Sequence, residues 1–161
     1  MGKEAPLRGS EAVRSSGSNA GTYELVLDIP PDPEHVRTAR LFAAAAARHF
    51  GLEEEGVEDL KVAISEACTN AIQAHRAAGI DAGIHIVATA DPDLVRLDVV
   101  DAGEGFDLEG AAMRADYTPP AGLSSGSLGL ALIRSLFPKV EISRNLDGGM
   151  TISIVADRPG G

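Results

Sequence analysis

Residues 58–75, EDLKVAISEACTNAIQAH, constrain this chain more than any other stretch. Leu60, Ala63, Ile64, Ala67, Cys68, Ala71 and Ile72 recur at helical spacing and supply enough apolar surface to dock one long helix on a core. Glu66 and Asn70 stand four residues apart. Four steps of about 100° bring the second almost above the first, roughly 6 Å further along the axis, so the two share a face. Such a pair suits divalent-metal and phosphate chemistry. Asn offers a hard carbonyl oxygen to Mg²⁺, and Glu can accept a proton. A solvated polar face fits the same spacing, and the helix alone leaves both readings open.

The length of 161 residues suits one domain that needs no covalent staple. A net charge of −10 argues against holding a nucleic-acid backbone by a general field and leaves basic protein partners open. Cys68 is the single cysteine, so no internal disulfide can form; a small core residue in a reducing compartment is the expectation. The chain shows no signal-peptide pattern, and its longest apolar run, 41–47, is mostly alanine and too short to span a bilayer. These observations suggest a cytoplasmic protein with neither a membrane nor a nucleic acid as direct partner. With no Trp and few aromatics, the core must come from Leu, Ile, Val and Ala.

Residues 1–21 are rich in Ser and Gly and lack periodicity, which predicts a disordered tail. Residues 22–157 are expected to form the domain and 158–161 a C-terminal tail. Alternation at 23–29, YELVLDI, predicts a strand. Asp32 is the expected N-cap of a helix over 33–50, with Pro33 at its first position and Gly51 closing it. The 58–75 helix ends near Gly79. Strands at 83–90 and 94–100 flank the turn Asp91-Pro92-Asp93 and predict a hairpin. An irregular stretch at 106–125 has the length of a functional lid. A helix is expected at 130–137, opened by Gly126-Ser127-Leu128-Gly129, and a second hairpin joins 140–143 to 150–155. The order strand, helix, helix, hairpin, lid, helix, hairpin predicts a two-layer α/β (α+β) sandwich. Its sheet is mixed but mainly antiparallel, covered on one face by three helices.

Two further signals join Glu66 and Asn70. Asp101-x-Gly103-x-Gly105 follows a strand, where glycines let a backbone come close to a flat or charged ligand. The Asp can accept a hydrogen bond from an amino group such as that of adenine. Gly126 to Gly129 precedes a helix, where free N–H groups and the helix dipole favour phosphate. Each alone has a plain structural reading, as a turn or a steric glycine. The Walker-type sequence, the dinucleotide fingerprint and the protein-kinase set are all absent. The four histidines show no metal spacing.

Taken in order, the segments resemble a known family. Glu66-Ala-Cys-Thr-Asn70-Ala resembles the N-box of the GHKL ATP-binding superfamily, Asp101-Ala-Gly-Glu-Gly its G1 box, Ser127-Leu-Gly-Leu-Ala-Leu-Ile its G2 box, and Gly149-Met-Thr151 its closing strand. The run from Glu58 to Asn70, with Tyr117-Thr-Pro before the G2 box, is similar to anti-sigma factor serine/threonine kinases of the RsbW type. The resemblance implies a Bergerat-type ATP-binding fold and a cytoplasmic anti-sigma factor. Such a protein sequesters an alternative sigma factor and uses Mg-ATP to phosphorylate a STAS-type anti-anti-sigma protein. It further implies a homodimer.

By the same resemblance, Glu66 is the general base, Asn70 the Mg²⁺ ligand, and Asp101 the partner of the adenine amine. Gly103 and Gly105 give the ring room, and Thr151 supports the adenine side. Gly126, Ser127, Leu128 and Gly129 cradle phosphate. Apart from the resemblance, Arg114 in the lid has either the γ-phosphate within reach or a plain solvated role. Two positions depart from the pattern. Ser127 replaces the first glycine of the G2 box. The family's histidine four residues after the N-box Asn is Ala74 here, with His75 turned a further 100° or so round the helix. The alternative reading is a non-catalytic protein-binding module of the same fold, with structural ATP or none.

Overall fold

The computed structural model describes residues 12–17, 22–103 and 124–159, with 12–17 and 124–128 described as backbone. Among the described residues, six strands and three α-helices follow in the order β1 (Ala12–Gly17), β2 (Tyr23–Ile29), α1 (Val36–His49), α2 (Glu54–Ala78), β3 (Ile84–Ala90), β4 (Leu94–Val100), α3 (Ser124–Leu136), β5 (Lys139–Arg144) and β6 (Met150–Asp157). The strands form one sheet in the order β1-β2-β3-β4-β6-β5. Every neighbouring pair is antiparallel. The expected two-layer sandwich is present, with a wholly antiparallel sheet where a mixed one was allowed for.

Alternation decides which sheet face is buried. Leu27, Ile29, Ile84, Ile86, Leu97, Val99, Ile152 and Ile154 point towards the helices and are nearly fully buried. The opposite face carries polar pairs such as Asp28 with His85 and Arg96 with Glu141. α2 lies in the middle of the helical layer, against α1 on one side and α3 on the other. Ala39, Ala43, Ala46 and Ala47 of α1 are at most 1% exposed. Their small side chains let α1 approach α2 closely. Leu60, Ile64 and Ile72 of α2 are fully buried between these neighbours and the sheet. Each such burial stabilises the fold by about 1.5–3 kcal/mol.

The helix ends follow local chemistry. Asp32 Oδ1 accepts the Glu34 N–H at 3.3 Å and caps a short 3-10 turn, Pro33–His35, ahead of α1. Gly51 at φ 86° and Gly79 at φ 66° close α1 and α2. The Leu52 N–H reaches back to Ala47 O and the Ile80 N–H to His75 O, both at 2.9 Å. This is the pattern of a left-handed C-terminal cap.

Three expectations change. Residues Ala12–Gly17 of the expected disordered tail form β1, in register with β2 from Ala12 opposite Asp28 to Gly17 opposite Tyr23. Strand pairing is a main-chain interaction, and a free strand edge accepts a segment that lacks alternation of its own. The rest of 1–21 lies outside the described residues. Arg158, assigned to the C-terminal tail, is fastened to the β3–β4 turn, its N–H donating to Asp93 O at 2.8 Å. α3 begins at Ser124, six residues before the helix expected at 130.

Cys68 is fully buried on α2, and burial pushes its thiol pKa up to about 12. It is a core residue. At pH 8 only about one thiol in ten thousand is ionised in the native state, since each pH unit below the pKa is a factor of ten. A maleimide or disulfide reagent is therefore expected to label Cys68 more than about a thousandfold slower in native protein than in urea, as read by mass spectrometry. Equal rates would place the thiol outside the core.

Candidate active site

α2 carries the polar side chains of the site in a row. Glu66 is half-buried and Asn70 is 4% exposed, on the stretch of the helix that faces α3. Their polar neighbours are committed within the helix. Ser65 Oγ donates to Lys61 O at 2.8 Å and Thr69 Oγ1 to Ser65 O at 2.7 Å.

α3 comes down on them at Gly129. A methyl built on Gly129 would stand 2.7 Å from Glu66 Oε2, 3.4 Å from Glu66 Cβ and 3.6 Å from Asn70 Nδ2. The glycine is thus what lets the α3 backbone reach the Glu66–Asn70 pair. Because α3 starts at Ser124, Gly126 falls in its first turn while Leu128 and Gly129 lie further in. Only the first four N–H groups of a helix lack an internal partner. In this conformation the Gly129 amide is therefore committed to the helix, and the amides without a partner inside the helix are those of its first turn, towards Ser124. Helix propensity across SSGSLGLAL fixes a start only to within a few residues, so the helix begins earlier than its glycines suggest.

The second part of the site is the turn after β4. Asp101 exchanges two main-chain hydrogen bonds with Met150, at 2.9 and 3.2 Å. Its carboxylate Oδ1 accepts the Gly103 N–H at 2.9 Å. Burial raises the Asp101 pKa, opposed by the hydrogen bonds from the Gly103 and Met150 amides. Gly103 rests on α2, where an added methyl would be 2.8 Å from Ala74 Cβ. Glycine is required there for close approach. Glu66, Asn70 and the Asp101 turn beside Ala74 thus lie in sequence along one helix, over a rise of about 12 Å from residue 66 to residue 74.

Thr151 does not join them. It pairs with Val100 while Ile152 pairs with Val99, and Ile152 is buried towards the helices. Alternation turns Thr151 to the opposite face, where Oγ1 donates to Asn145 Oδ1 at 2.7 Å. Its neighbour Met150, 7% exposed, takes the position beside Asp101. Gly105, Arg114 and the rest of the expected lid up to residue 123 lie outside the described residues. So do the side chains of Ser127 and Leu128.

Sequence reasoning gave no site role to two residues that build the turn. Gly149 has φ 89°, and a methyl on it would lie 1.9 Å from Asp101 O. Its signal is the Asp147-Gly148-Gly149 triplet, which reads as a turn and says nothing about Asp101. His75 is fully buried beneath Ala102, and its Nε2 accepts the Ala102 N–H at 2.9 Å. Gly149→Ala is expected to cost at least about 2 kcal/mol through combined backbone collision and a left-handed φ. At this chain length that lowers Tm by roughly 4–8 °C, measurable by calorimetry. An unchanged Tm would mean that the β4–β6 junction is loosely held.

A donor set of one carboxamide oxygen, with no surrounding cage of carboxylates, fits a Mg²⁺ ion that keeps waters and shares substrate phosphates. Among the described residues no cluster of three or more His, Cys, Asp or Glu could hold an ion by itself. Residues 29–156 match the histidine kinase-like ATPase domain. The serine-protein kinase RsbW of Bacillus licheniformis is 34% identical over 130 residues, covering 78% of this chain and 80% of that protein. The protein of the same name from Oceanobacillus iheyensis is 36% identical over 122 residues, 73% and 77% of the two chains. That from Bacillus subtilis is 32% identical over 141 residues, 85% and 86%. With residues 29–156 matching that domain and relatives of this name 32–36% identical over most of the chain, the chain belongs to the histidine kinase-like ATPase family, in its RsbW-type branch.

Proposed function

We propose that this protein is a serine/threonine kinase and anti-sigma factor. It holds an alternative sigma factor and phosphorylates a STAS-type antagonist of that complex. The observation that carries the reading is the linear array along α2. An amine-selecting carboxylate stands at Asp101, a metal-type carboxamide at Asn70 and a carboxylate base at Glu66, with the α3 glycine laid against the last two. An extended nucleoside triphosphate can bridge that span, base at Asp101 and γ-phosphate at Glu66.

Asp101 accepts the adenine amine through the carboxylate oxygen not held by Gly103, and Gly103 leaves the ring room to approach. Asn70 holds Mg²⁺, which neutralises phosphate charge when bound. The acceptor serine hydroxyl attacks the γ-phosphorus. Its oxygen–phosphorus bond forms as the bond to the β–γ bridging oxygen breaks, the proton passes to the Glu66 carboxylate, and ADP leaves with the electron pair. Positioning and charge neutralisation are the main demands of such a transfer. α3 must shift from Glu66 and Asn70 to admit the phosphates, since a single methyl already fills the gap at Gly129.

The net charge of −10 suits a basic, DNA-binding sigma factor as partner and disfavours direct contact with nucleic acid. A homodimer and a cytoplasmic location complete the reading. No described helix is long and apolar enough to cross a membrane.

Glu66→Gln is expected to retain ATP binding while phosphate transfer to the antagonist falls at least about a hundredfold, the usual scale for losing a general base. Radiolabelled transfer and calorimetry on the same preparations check it. Undiminished transfer would remove Glu66 as the base and leave a protein-binding module as the better reading.

Asp101→Asn separates binding from folding. The folded-state pKa of Asp101 is raised, so its ionised form is disfavoured at neutral pH, and the penalty is relieved as pH falls through the folded pKa. Removing the charge is therefore expected to leave Tm unchanged or higher at pH 7. ATP affinity falls about tenfold or more, through loss of a charge-assisted hydrogen bond to the amine. A matching drop in both quantities would assign Asp101 a structural role alone.

A further inference from the structure

His75 is the one fully buried ionisable side chain of α2 besides Cys68 among the described residues, and nothing in the transfer chemistry uses it. Its ring bridges two main-chain groups. Nδ1 lies 3.0 Å from Ala82 O, and Nε2 lies 2.9 Å from the Ala102 N. A carbonyl can only accept and an amide can only donate. The imidazole is therefore neutral, with its proton on Nδ1 and its Nε2 lone pair directed at Ala102. Both ring nitrogens are committed, and the group held through Nε2 is the residue between Asp101 and Gly103.

Neighbouring residues explain why the histidine stands at 75. Position 74 faces Gly103 at van der Waals contact, since even a methyl on Gly103 would meet Ala74 Cβ at 2.8 Å. A large ring at 74 would displace the turn. One residue further, about 100° round the helix, the ring slides under Ala102. The Asp101-Ala102-Gly103 turn is then fastened at three places. Asp101 is tied to Met150, Gly103 N–H to the Asp101 carboxylate, and Ala102 N–H to His75. The first two are internal to the β4–β6 junction. His75 supplies the tie to α2, the helix that carries Asn70 and Glu66.

We propose that His75 is a positioning residue for purine recognition: by accepting the Ala102 N–H it fixes the Asp101 carboxylate relative to Asn70 and Glu66. This rests on the nucleotide-site reading above. With the tie removed, the carboxylate samples more orientations, and the amine contact of adenine weakens while the phosphate contacts do not. The loss therefore falls on ATP more than on GTP, whose guanine presents a carbonyl where adenine presents the amine.

The test uses two partial isosteres in the full chain. In His75→Gln the side-chain oxygen reaches the place of Nε2 and can still accept from Ala102. In His75→Asn the amide reaches only the place of Nδ1 and leaves Ala102 without an acceptor. Mg-ATP and Mg-GTP affinities are measured by calorimetry beside thermal melting. The expected result is an ATP affinity within about threefold of wild type for Gln and about tenfold or more weaker for Asn, with GTP affinity unchanged, as one buried hydrogen bond of this kind allows. A purely structural histidine would lower both melting temperatures and leave the ATP-to-GTP ratio of the folded protein untouched. That outcome overturns the proposal, as does a Gln variant as weak as Asn. Amide exchange at Ala102 without nucleotide gives an independent arm: protection in wild type that is lost in Asn supports the tie, and exchange at a loop-like rate in wild type overturns it. Failure of wild type to bind ATP counts against the proposed function, while the exchange arm still decides whether His75 holds the turn. Should the Asn variant not fold, the Gln variant and the wild-type exchange rate decide alone.

Discussion

α2 is enclosed on three sides, and the rest of the molecule takes its position from that enclosure. α1 lies along one flank through its alanines, α3 along the other through Gly129, and the apolar face of the sheet beneath. A helix so placed cannot rotate or slide without breaking all three contacts. Its polar residues are consequently held as rigidly as its core residues. Asn70 and His75 are as buried as Leu60 or Ile72, and burial of such groups is tolerated where partners meet their hydrogen-bonding demands. For His75 those partners are the Ala82 carbonyl and the Ala102 amide.

Small residues act throughout as spacers that let backbones meet. Ala74 and Gly103 bring the β4 turn onto α2, Gly149 brings β6 onto Asp101, and Gly129 brings α3 onto Glu66. The site is therefore built largely from absent side chains, with few polar groups placed by them. Such contacts are steep in distance: a methyl at any of the three glycines would intrude to less than 3 Å on a neighbouring atom. Interiors packed to this density pass displacements on to their neighbours. An opening of α3 is then a discrete step away from Gly129 contact. The Asp101 turn, tied to both β6 and α2, has no such freedom. The Glu66 and Asp101 ends of this helix face are thus held in different ways.

Much of the fold was legible because the relevant information is local. The long α2 pattern, both hairpins, the Asp32 cap and the glycine closures at Gly51 and Gly79 each depend on a few neighbouring residues. Glu66 with Asn70, and Asp101 with Gly103, were legible as pairs because spacing within each segment is a property of one helix and one turn, and the resemblance to a known family joined the two pairs. β1 was not legible, since Ala12–Gly17 carries no alternation and becomes a strand only against the free edge of β2. The start of α3 and the face presented by Thr151 depended on a boundary and a register, both of which shift with one residue.

The sequence by itself determined most of the elements, the family and the candidate site residues, because periodicity, capping and motif spacing are written within short windows. Only the tertiary structure decided how those residues address one another. It placed His75 under Ala102 across 27 residues of chain, set Gly129 against Glu66 across the gap between two helices, and turned Thr151 away from Asp101. These relations follow from the packing of α2 between its neighbours. No window of sequence contains both partners of any such contact, so no local rule could express them.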